Sequence, residues 1–403
     1  MTKKLLQINA SVNTGSIGRI SEQIGQKVME QGWESYIAYG RPDYLNLSKS
    51  KLIKVGRMLN VYEHYLENRI FDNEGLASRI PTKQFIKKIE EIKPDIIHLH
   101  NIHDHWLNYK ILFEYLNTLD TPIVWTQHDC WAFTGGCMHF VHTNCEKWKS
   151  ECEKCSYSKK LLDKSKKQFN LRKQFFVTNK NLVLVPVSYW LENEVKQSFF
   201  RNHQVVPILN GVDINSFKPL KQTNVRERYR IGDRFMLVGL ATAWSARKGL
   251  KDYLELSKHI SDDEVIVLVG LRKKQIENLP KNIIGIERTS NVQELAELYS
   301  TADIVLNLSY EETFGLTTVE GFACGTPGIV YNKTASPELI EEGVGYVVEA
   351  GNIVQLLNAI KEIKQKGKEY YSDNCRKRAE NNYDKDKSFS KYIELYNNLL
   401  SKK

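Results

Sequence analysis

The chain has 403 residues, which at roughly 150 residues per domain predicts two domains, and its 41% hydrophobic and 26% charged residues exclude a disordered or fibrous protein. The longest wholly apolar run, Leu182 to Val187, contains a proline and is too short to cross a bilayer, and the amino terminus lacks an apolar stretch of signal-peptide length, so a cytoplasmic protein is expected. A net charge of +9 favours acidic partners (nucleotide phosphates, anionic lipid headgroups or nucleic acid), and seven cysteines in a reducing compartment point to metal or packing rather than disulfides.

Short β-branched runs alternate with helical patterns from end to end, which predicts an α/β fold of parallel sheets covered by helices on both faces. In the first half, strands are expected at 5–9, 34–39, 95–100, 123–127, 182–187 and 205–209, with helical patterns at 18–31, 82–92, 108–116 and 189–199. The loop Asn13-Thr-Gly-Ser-Ile-Gly18-Arg19 follows the first strand and opens a helix. Its Gly15 and Gly18 let backbone N–H groups approach an anion or sugar hydroxyl, so Gly15, Ser16, Gly18 and Arg19 are candidate acceptor-side residues, although the full G-x-G-x-x-G fingerprint is missing. Histidines 98, 100, 103 and 105 close another strand; their alternation reads as polar residues lining a cleft, with His100 among the acceptor-side candidates.

After the fifth strand the chain turns cysteine-rich. Cys137, Cys145, Cys152 and Cys155, spaced C-x7-C-x6-C-x2-C, meet the ligand count of a tetrahedral structural zinc, with unligated thiols in a long loop as the competing reading. A metal clip would offset the entropy of a loop of this length. From Lys147 to Lys173 there are ten Lys/Arg against three Asp/Glu, with Leu161, Ser165, Phe169 and Phe176 at helical spacing. Such a helix rests on an anionic membrane or presents a solvated face over a narrow apolar seam.

The second half starts a new series, with strands at 235–240, 265–269, 283–286, 304–308, 328–331 and 345–348 and helices at 250–259, 292–299, 317–324, 336–340 and 353–366. Two Rossmann-like halves fit this order. The aperiodic, Gly-, Asp-, Asn- and Pro-containing segment 210–221 is the expected linker between an N-terminal domain, 1–209 with a cysteine-rich insertion at 130–155, and a C-terminal domain at 222–385. Helical stretches at 374–382 and 389–400 follow the last strand, and the end of the chain, 386–403, is free to pack back across the interdomain cleft.

The densest signal is Tyr310-Glu-Glu312-Thr-Phe-Gly-Leu-Thr-Thr-Val-Glu320-Gly-Phe-Ala-Cys-Gly-Thr-Pro-Gly. A strand feeds a glycine-containing loop and then a helix, so the backbone amides of Gly315, Leu316 and Thr317, beside Phe314, face the crevice at the strand's carboxyl end, a phosphate-facing geometry. Glu312 lies in the loop and Glu320 about one turn into the helix, and carboxylates accept the paired hydroxyls of a ribose or hexose well.

The form E-x-F-G-L-x-x-x-E followed by A-C-G-T-P, with Thr126-Gln-His128-Asp129, Asn210-Gly-Val-Asp213 and Arg247-Lys248-Gly249 in matching order, resembles the retaining family-4 (group 1) glycosyltransferases of the GT-B type over most of the chain. The resemblance implies two Rossmann-like domains facing each other across a cleft. It also implies roles: Glu312 and His128 beside the donor sugar, Glu320 on the nucleotide ribose, Lys248 on the donor diphosphate. Where the family usually has an arginine six residues before that lysine, this sequence has Thr242, and Arg247 or Arg272 is the candidate replacement.

The expected reaction is then transfer of a hexose from a UDP- or GDP-sugar to a glycan or lipid-linked acceptor, with retention, in bacterial surface polysaccharide synthesis. No catalytic cofactor is implied, only a structural zinc, and the expected partners are the donor, the acceptor and an anionic membrane at the inner face, with no nucleic acid. The competing readings are a zinc-stabilised nucleic-acid-binding protein and a phosphorylase or synthase on the same fold.

Overall fold

The computed structural model describes residues 2–41, 47–155 and 162–402, in two compact units. The first unit takes the chain up to Ile208 and again from Phe389 onward; the second is Leu209–Ser388.

Seven parallel strands form the sheet of the first unit: β1 (Lys4–Ile8), β2 (Glu34–Tyr39), β3 (Lys51–Lys54), β4 (Ile96–Leu99), β5 (Ile123–Gln127), β6 (Leu182–Pro186) and β7 (Gln204–Val205), in the order β3-β2-β1-β4-β5-β6-β7. β4, β5 and β6 are buried at every residue, as strands covered by helices on both faces must be. The edge strand β3, Lys-Leu-Ile-Lys, is mostly exposed and carries too short an apolar run to be expected from sequence. The helix Met58–Phe71 was likewise not expected. Its pattern is inverted, with His64 and Asn68 buried while Leu59, Tyr62, Leu66 and Ile70 are exposed.

The last helix, Lys385–Ser401, supplies Phe389, Tyr392, Ile393 and Tyr396 to the core of the first unit, where they pack with Leu5, Ile24, Trp33, Ile96 and Val124. The segment 210–221, expected as the linker, falls within the second unit. Val212 bridges Asp384, Lys385 Nζ donates to Asp213 Oδ2 at 2.7 Å, and a Cβ on Gly211 would lie 2.4 Å from the Cα of Lys385.

The second unit repeats the plan with β8 (Phe235–Leu240), β9 (Glu264–Val269), β10 (Ile283–Ile286), β11 (Ile304–Asn307), β12 (Gly328–Tyr331) and β13 (Gly345–Val348), all parallel, in the order β10-β9-β8-β11-β12-β13. In each sheet the strand order reverses once, between β1 and β4 and between β8 and β11. Ligands of open α/β sheets bind outside the carboxyl ends of the strands at such reversals.

The basic run does form a helix, Ser165–Val177, but its seam faces the protein. Phe169, Arg172 and Phe176 are buried; the Arg172 guanidinium lies 3.9 Å from the Trp131 ring and Nη1 donates to the Thr134 carbonyl at 2.7 Å. Lys166 reaches Glu151 and Glu153, so part of the positive charge is neutralised locally. Leu161 lies outside the described residues. Among the described residues no helix is long and apolar enough to cross a membrane.

Candidate active site

In the second unit, two loops at the reversal between β8 and β11 are joined edge to edge. After β8 the chain makes a short 3-10 turn, Ala246–Lys248, closed by Gly249 in the left-handed conformation (φ 71°). After β11 comes the loop through Glu311 and Glu312 to Gly315 (φ 101°), which starts the helix Leu316–Ala323. Tyr310 N–H donates to the Arg247 carbonyl at 2.8 Å, Arg247 Nη1 donates to the Glu311 carbonyl at 2.8 Å, and the Lys248 ammonium donates to Glu312 Oε1 in a direct ion pair.

Burial by itself raises the Glu312 carboxyl, but the Lys248 ammonium and the Ser309 hydroxyl bring it below the ordinary glutamate range, so it is a carboxylate at neutral pH. Its own N–H donates to Thr334 Oγ1 at 2.9 Å, which fixes the backbone from the far side. Glu320, on the helix, accepts from Tyr299 O–H at 2.9 Å through Oε2. The helix N-terminus at Leu316 and Thr317 offers backbone N–H donors and positive dipole next to this pair. The result is two cations, Arg247 and Lys248, held against the Glu311–Glu312 loop that leads into the helix carrying Glu320. Thr242 is exposed, and Arg247 is tied to the Glu311 carbonyl.

In the first unit, His128 follows β5 and is nearly buried, its Nε2 3.1 Å from Nδ1 of His100. His100, expected to line a surface on the acceptor side, is instead buried behind His128, because it directly follows the interior strand β4. His98 and His103 are buried as well, which replaces the cleft-lining expectation for this stretch. In the loop after β1, Gly15 (φ 67°) opens the helix Gly15–Glu30, Ser16 and Arg19 are exposed, and a Cβ on Gly18 would sit 3.0 Å from Ser11 Oγ.

The four cysteines Cys137, Cys145, Cys152 and Cys155 are all unoxidised and line one cavity of about 30 Å³ beside Trp148. Burial, with a smaller contribution from the neighbouring thiols, pushes the Cys137 thiol up to about 12 and that of Cys152 up to about 11. Among the described residues no group of three or more His, Cys, Asp or Glu side chains is arranged to hold a metal ion as it stands.

Two family models match the chain: "Glycosyltransferase Family 4" over residues 18–216 and "Glycosyl transferases group 1" over residues 222–383. The chain belongs to the group 1, family 4 glycosyltransferases. It is 21% identical to WcaC of Escherichia coli K12, named as a glycosyl transferase of colanic acid biosynthesis, across 98% of this chain and 100% of that one. It is 28% identical to the N-acetyl-alpha-D-glucosaminyl L-malate synthase of Bacillus anthracis, over 42% of this chain and 47% of that one. Among solved structures it superposes on a sucrose-phosphate synthase from Thermosynechococcus elongatus with a TM-score of 0.75 at 17% identity, covering all of both chains. On Anabaena HepE in complex with UDP and glucose the TM-score is 0.66 at 15% identity, over 98% of this chain and 100% of that one. The fold is GT-B.

In this glycosyltransferase several residues that hold these side chains carry no sequence signal. Thr334 and Ser309 hold Glu312, Tyr299 holds Glu320, and Gln7 contacts His100, each from an element distant in the chain except Ser309. The stretch after His128 holds a further pair. His103 Nε2 lies 3.0 Å from Asp129 Oδ2 and its Nδ1 3.5 Å from Asp104 Oδ1, in a loop where Asp104 and His105 have positive φ of 80° and 67°. Burial alone lowers the His103 imidazole, but the two carboxylates outweigh it and raise it to about 10. A group raised on folding stabilises fully below its unfolded pKa and loses that contribution as pH climbs through the folded one. The stability difference between the wild type and His103→Gln is therefore expected to be largest near pH 6 and to shrink by a few kcal/mol towards pH 10, as urea unfolding at several pH values measures. A difference that grows with pH would remove the ion pair.

Proposed function

We propose that this glycosyltransferase moves a hexose from a nucleotide-sugar, a UDP- or GDP-sugar, to a glycan or lipid-linked acceptor in bacterial surface polysaccharide synthesis, with retention at the anomeric carbon. The observation that carries the reading is the Lys248–Glu312 ion pair beside the N-terminus of the helix Leu316–Ala323, at the carboxyl ends of β8 and β11. An ammonium has three donors; one goes to Glu312 and the others suit the donor diphosphate, whose negative charge the helix dipole also favours. No divalent metal is needed for that neutralisation. Glu320 takes the ribose hydroxyls, and Glu312 with His128 orients the donor sugar. The names of WcaC and the UDP–glucose complex of HepE support the substrate class.

In the favoured route the bond from the anomeric carbon to the leaving phosphate oxygen breaks while the acceptor hydroxyl oxygen bonds to the same face. The hydroxyl proton passes to the departing phosphate. A covalent route would require a carboxylate nucleophile, and Glu312 is the nominee; its ion pair with Lys248 makes it a poorer one, which favours the first route.

Calorimetry and hydrolysis assays with UDP-, GDP- and ADP-sugars test this. The expected result is binding of one nucleoside diphosphate and slow release of its sugar. Salt-dependent binding to polynucleotide with indifference to every nucleotide-sugar would favour the nucleic-acid reading instead. Glu320→Gln is expected to weaken nucleoside diphosphate binding by about 1.5–3 kcal/mol, the value of a hydrogen bond to a charged group. Unchanged affinity in the folded variant would remove the ribose assignment.

In this reading the four thiols also hold one structural zinc. Left-handed residues stand immediately before two of them, Asn144 (φ 50°) before Cys145 and Lys154 (φ 46°) before Cys155, and the regular structure of the loop is three short 3-10 turns. Zinc binding draws the thiols together as thiolates and releases their protons, so it stabilises this unit more at higher pH. Elemental analysis is expected to find about one zinc per chain, with a fall in melting temperature on chelation. Metal-free protein with full activity and an unchanged melt would make the cluster packing only.

A further inference from the structure

Around the four thiols the structure holds more positive charge than it pairs. Arg172, on the helix Ser165–Val177, is fully buried, yet no carboxylate of the described residues pairs with its guanidinium. Nη1 donates to the Thr134 carbonyl at 2.7 Å, the group lies over the Trp131 ring, and Nε and Nη2 have no hydrogen-bond partner. Glu74, which shares the surroundings of Gly136 with Arg172, accepts instead from Trp131 Nε1–H at 3.1 Å. A buried cation without a counter-ion is strongly disfavoured, so a negative charge is needed close to it.

The thiols are where that charge can form. The turn Thr134-Gly135-Gly136-Cys137 joins them to Arg172. The Thr134 carbonyl takes the Arg172 N–H, and Thr134 Oγ1 donates to the Cys137 carbonyl at 2.6 Å. Gly135 packs so closely on Cys152 that an added Cβ would lie 2.8 Å from the Cβ of that cysteine. Burial disfavours the Cys152 thiolate, while the Gly135 N–H and the Arg172 charge favour it. A second cation serves the other turn. Lys147, which lines the same cavity, donates from Nζ to the carbonyls of Glu153 at 2.9 Å and Lys154 at 3.1 Å, between Cys152 and Cys155. It too makes no ion pair among the described residues. Trp148, fully buried beside the cavity, has no partner for its Nε1–H, a donor suited to a thiolate sulfur.

The charges then balance. A zinc ion bound by four thiolates carries two negative charges, and Arg172 and Lys147 together carry two positive ones. A cavity of about 30 Å³ admits a single small ion and no phosphate or sugar. We infer that Arg172 and Lys147 are the counter-charges of a zinc tetrathiolate at Cys137, Cys145, Cys152 and Cys155, with Trp148 donating to one of its sulfurs, so that the metal is held as a net-neutral unit. This rests on the zinc reading proposed above. Arg172 acts from the protein interior and Lys147 from the exposed side.

Competition with a chromophoric chelator measures the zinc affinity of the full chain, and cobalt(II) in place of zinc reports its ligands by a thiolate charge-transfer band. Arg172→Met, which keeps the length and removes the charge, is expected to weaken zinc binding by about 10- to 100-fold, the usual loss for a supporting residue of a metal site. The melting temperature of the metal-free protein is expected to change little, because the unpaired buried charge goes together with its hydrogen bond. Arg172→Lys, which keeps the charge, is expected to recover most of the affinity. Equal falls in the melting temperatures of metal-free and zinc-loaded Arg172→Met, with zinc affinity unchanged, would make Arg172 a packing residue and overturn the inference. Lys147→Gln repeats the test at an exposed position, where the fold is not at stake: severalfold weaker zinc binding is expected, and unchanged affinity would overturn the charge balance. A wild type that takes up no zinc and shows no thiolate band with cobalt would overturn the zinc reading itself, and the counter-charges with it.

Discussion

Lys248→Ala is expected to lower kcat by about 10²–10³-fold, the loss seen when one preorganised donor to a developing oxyanion is removed, while the affinity for the free nucleoside diphosphate falls far less. The reason lies in when the charge appears. As the anomeric bond breaks, negative charge grows on the departing phosphate, and a fixed ammonium stabilises that state more than the bound donor. Lys248 is fixed, because its ammonium is held by Glu312 and its backbone by the joined loops. The same change strips Glu312 of its main counter-charge in a buried setting, so its carboxyl rises from its lowered value. The variant should therefore lose activity as pH falls through a range where the wild type holds it. Rapid-quench single turnovers separate the outcomes: a shift in KM with kcat intact would make Lys248 a binding residue and send the leaving-group role elsewhere.

How far sequence reached depends on what each feature rests on. The strand runs of both sheets were legible because parallel strands buried on two faces are unbroken β-branched runs, and the Glu312 to Glu320 spacing was legible because strand, glycine loop and helix follow one another in the chain. β3 and the helix Met58–Phe71 were hidden for the opposite reason: a charged edge strand and a helix that buries polar residues defeat patterns built on burial of apolar ones. The place of His100 was misjudged because alternation in Ile-His-Leu-His says that residues face opposite sides of a strand, not that either side is open. Its partner Gln7 comes from β1, and the tyrosine that braces the neighbouring His98 comes from the last helix, and no spacing rule spans those distances. The basic run showed its charge plainly, yet Arg172 within it is buried against Trp131, a contact set by tertiary packing alone.

The Arg-Lys-Gly run has a physical reason for its third member, and it yields the other large effect. Gly249 adopts φ 71°, and a Cβ built there would lie 2.0 Å from the carbonyl oxygen of Leu308, directly after β11. Alanine at this position adds the cost of a left-handed conformation, about 1–2 kcal/mol, to a contact that no rotamer can relieve because the clashing atom is backbone. The loop must then lift from β11, and with it moves the adjacent Lys248. A displacement of about 1 Å at a reacting centre costs about 10²-fold in rate. Gly249→Ala is thus expected to approach Lys248→Ala in lost turnover while also lowering the melting temperature, which Lys248→Ala should do much less. Gly232→Ala is the control: it too has a positive φ, of 64°, but nothing lies within 4 Å of its added Cβ, so it should show the conformational cost alone and keep its turnover. If Gly249→Ala kept full kcat, the two loops would not be coupled through this contact, and the position of Lys248 would have to be set by its ion pair with Glu312 alone.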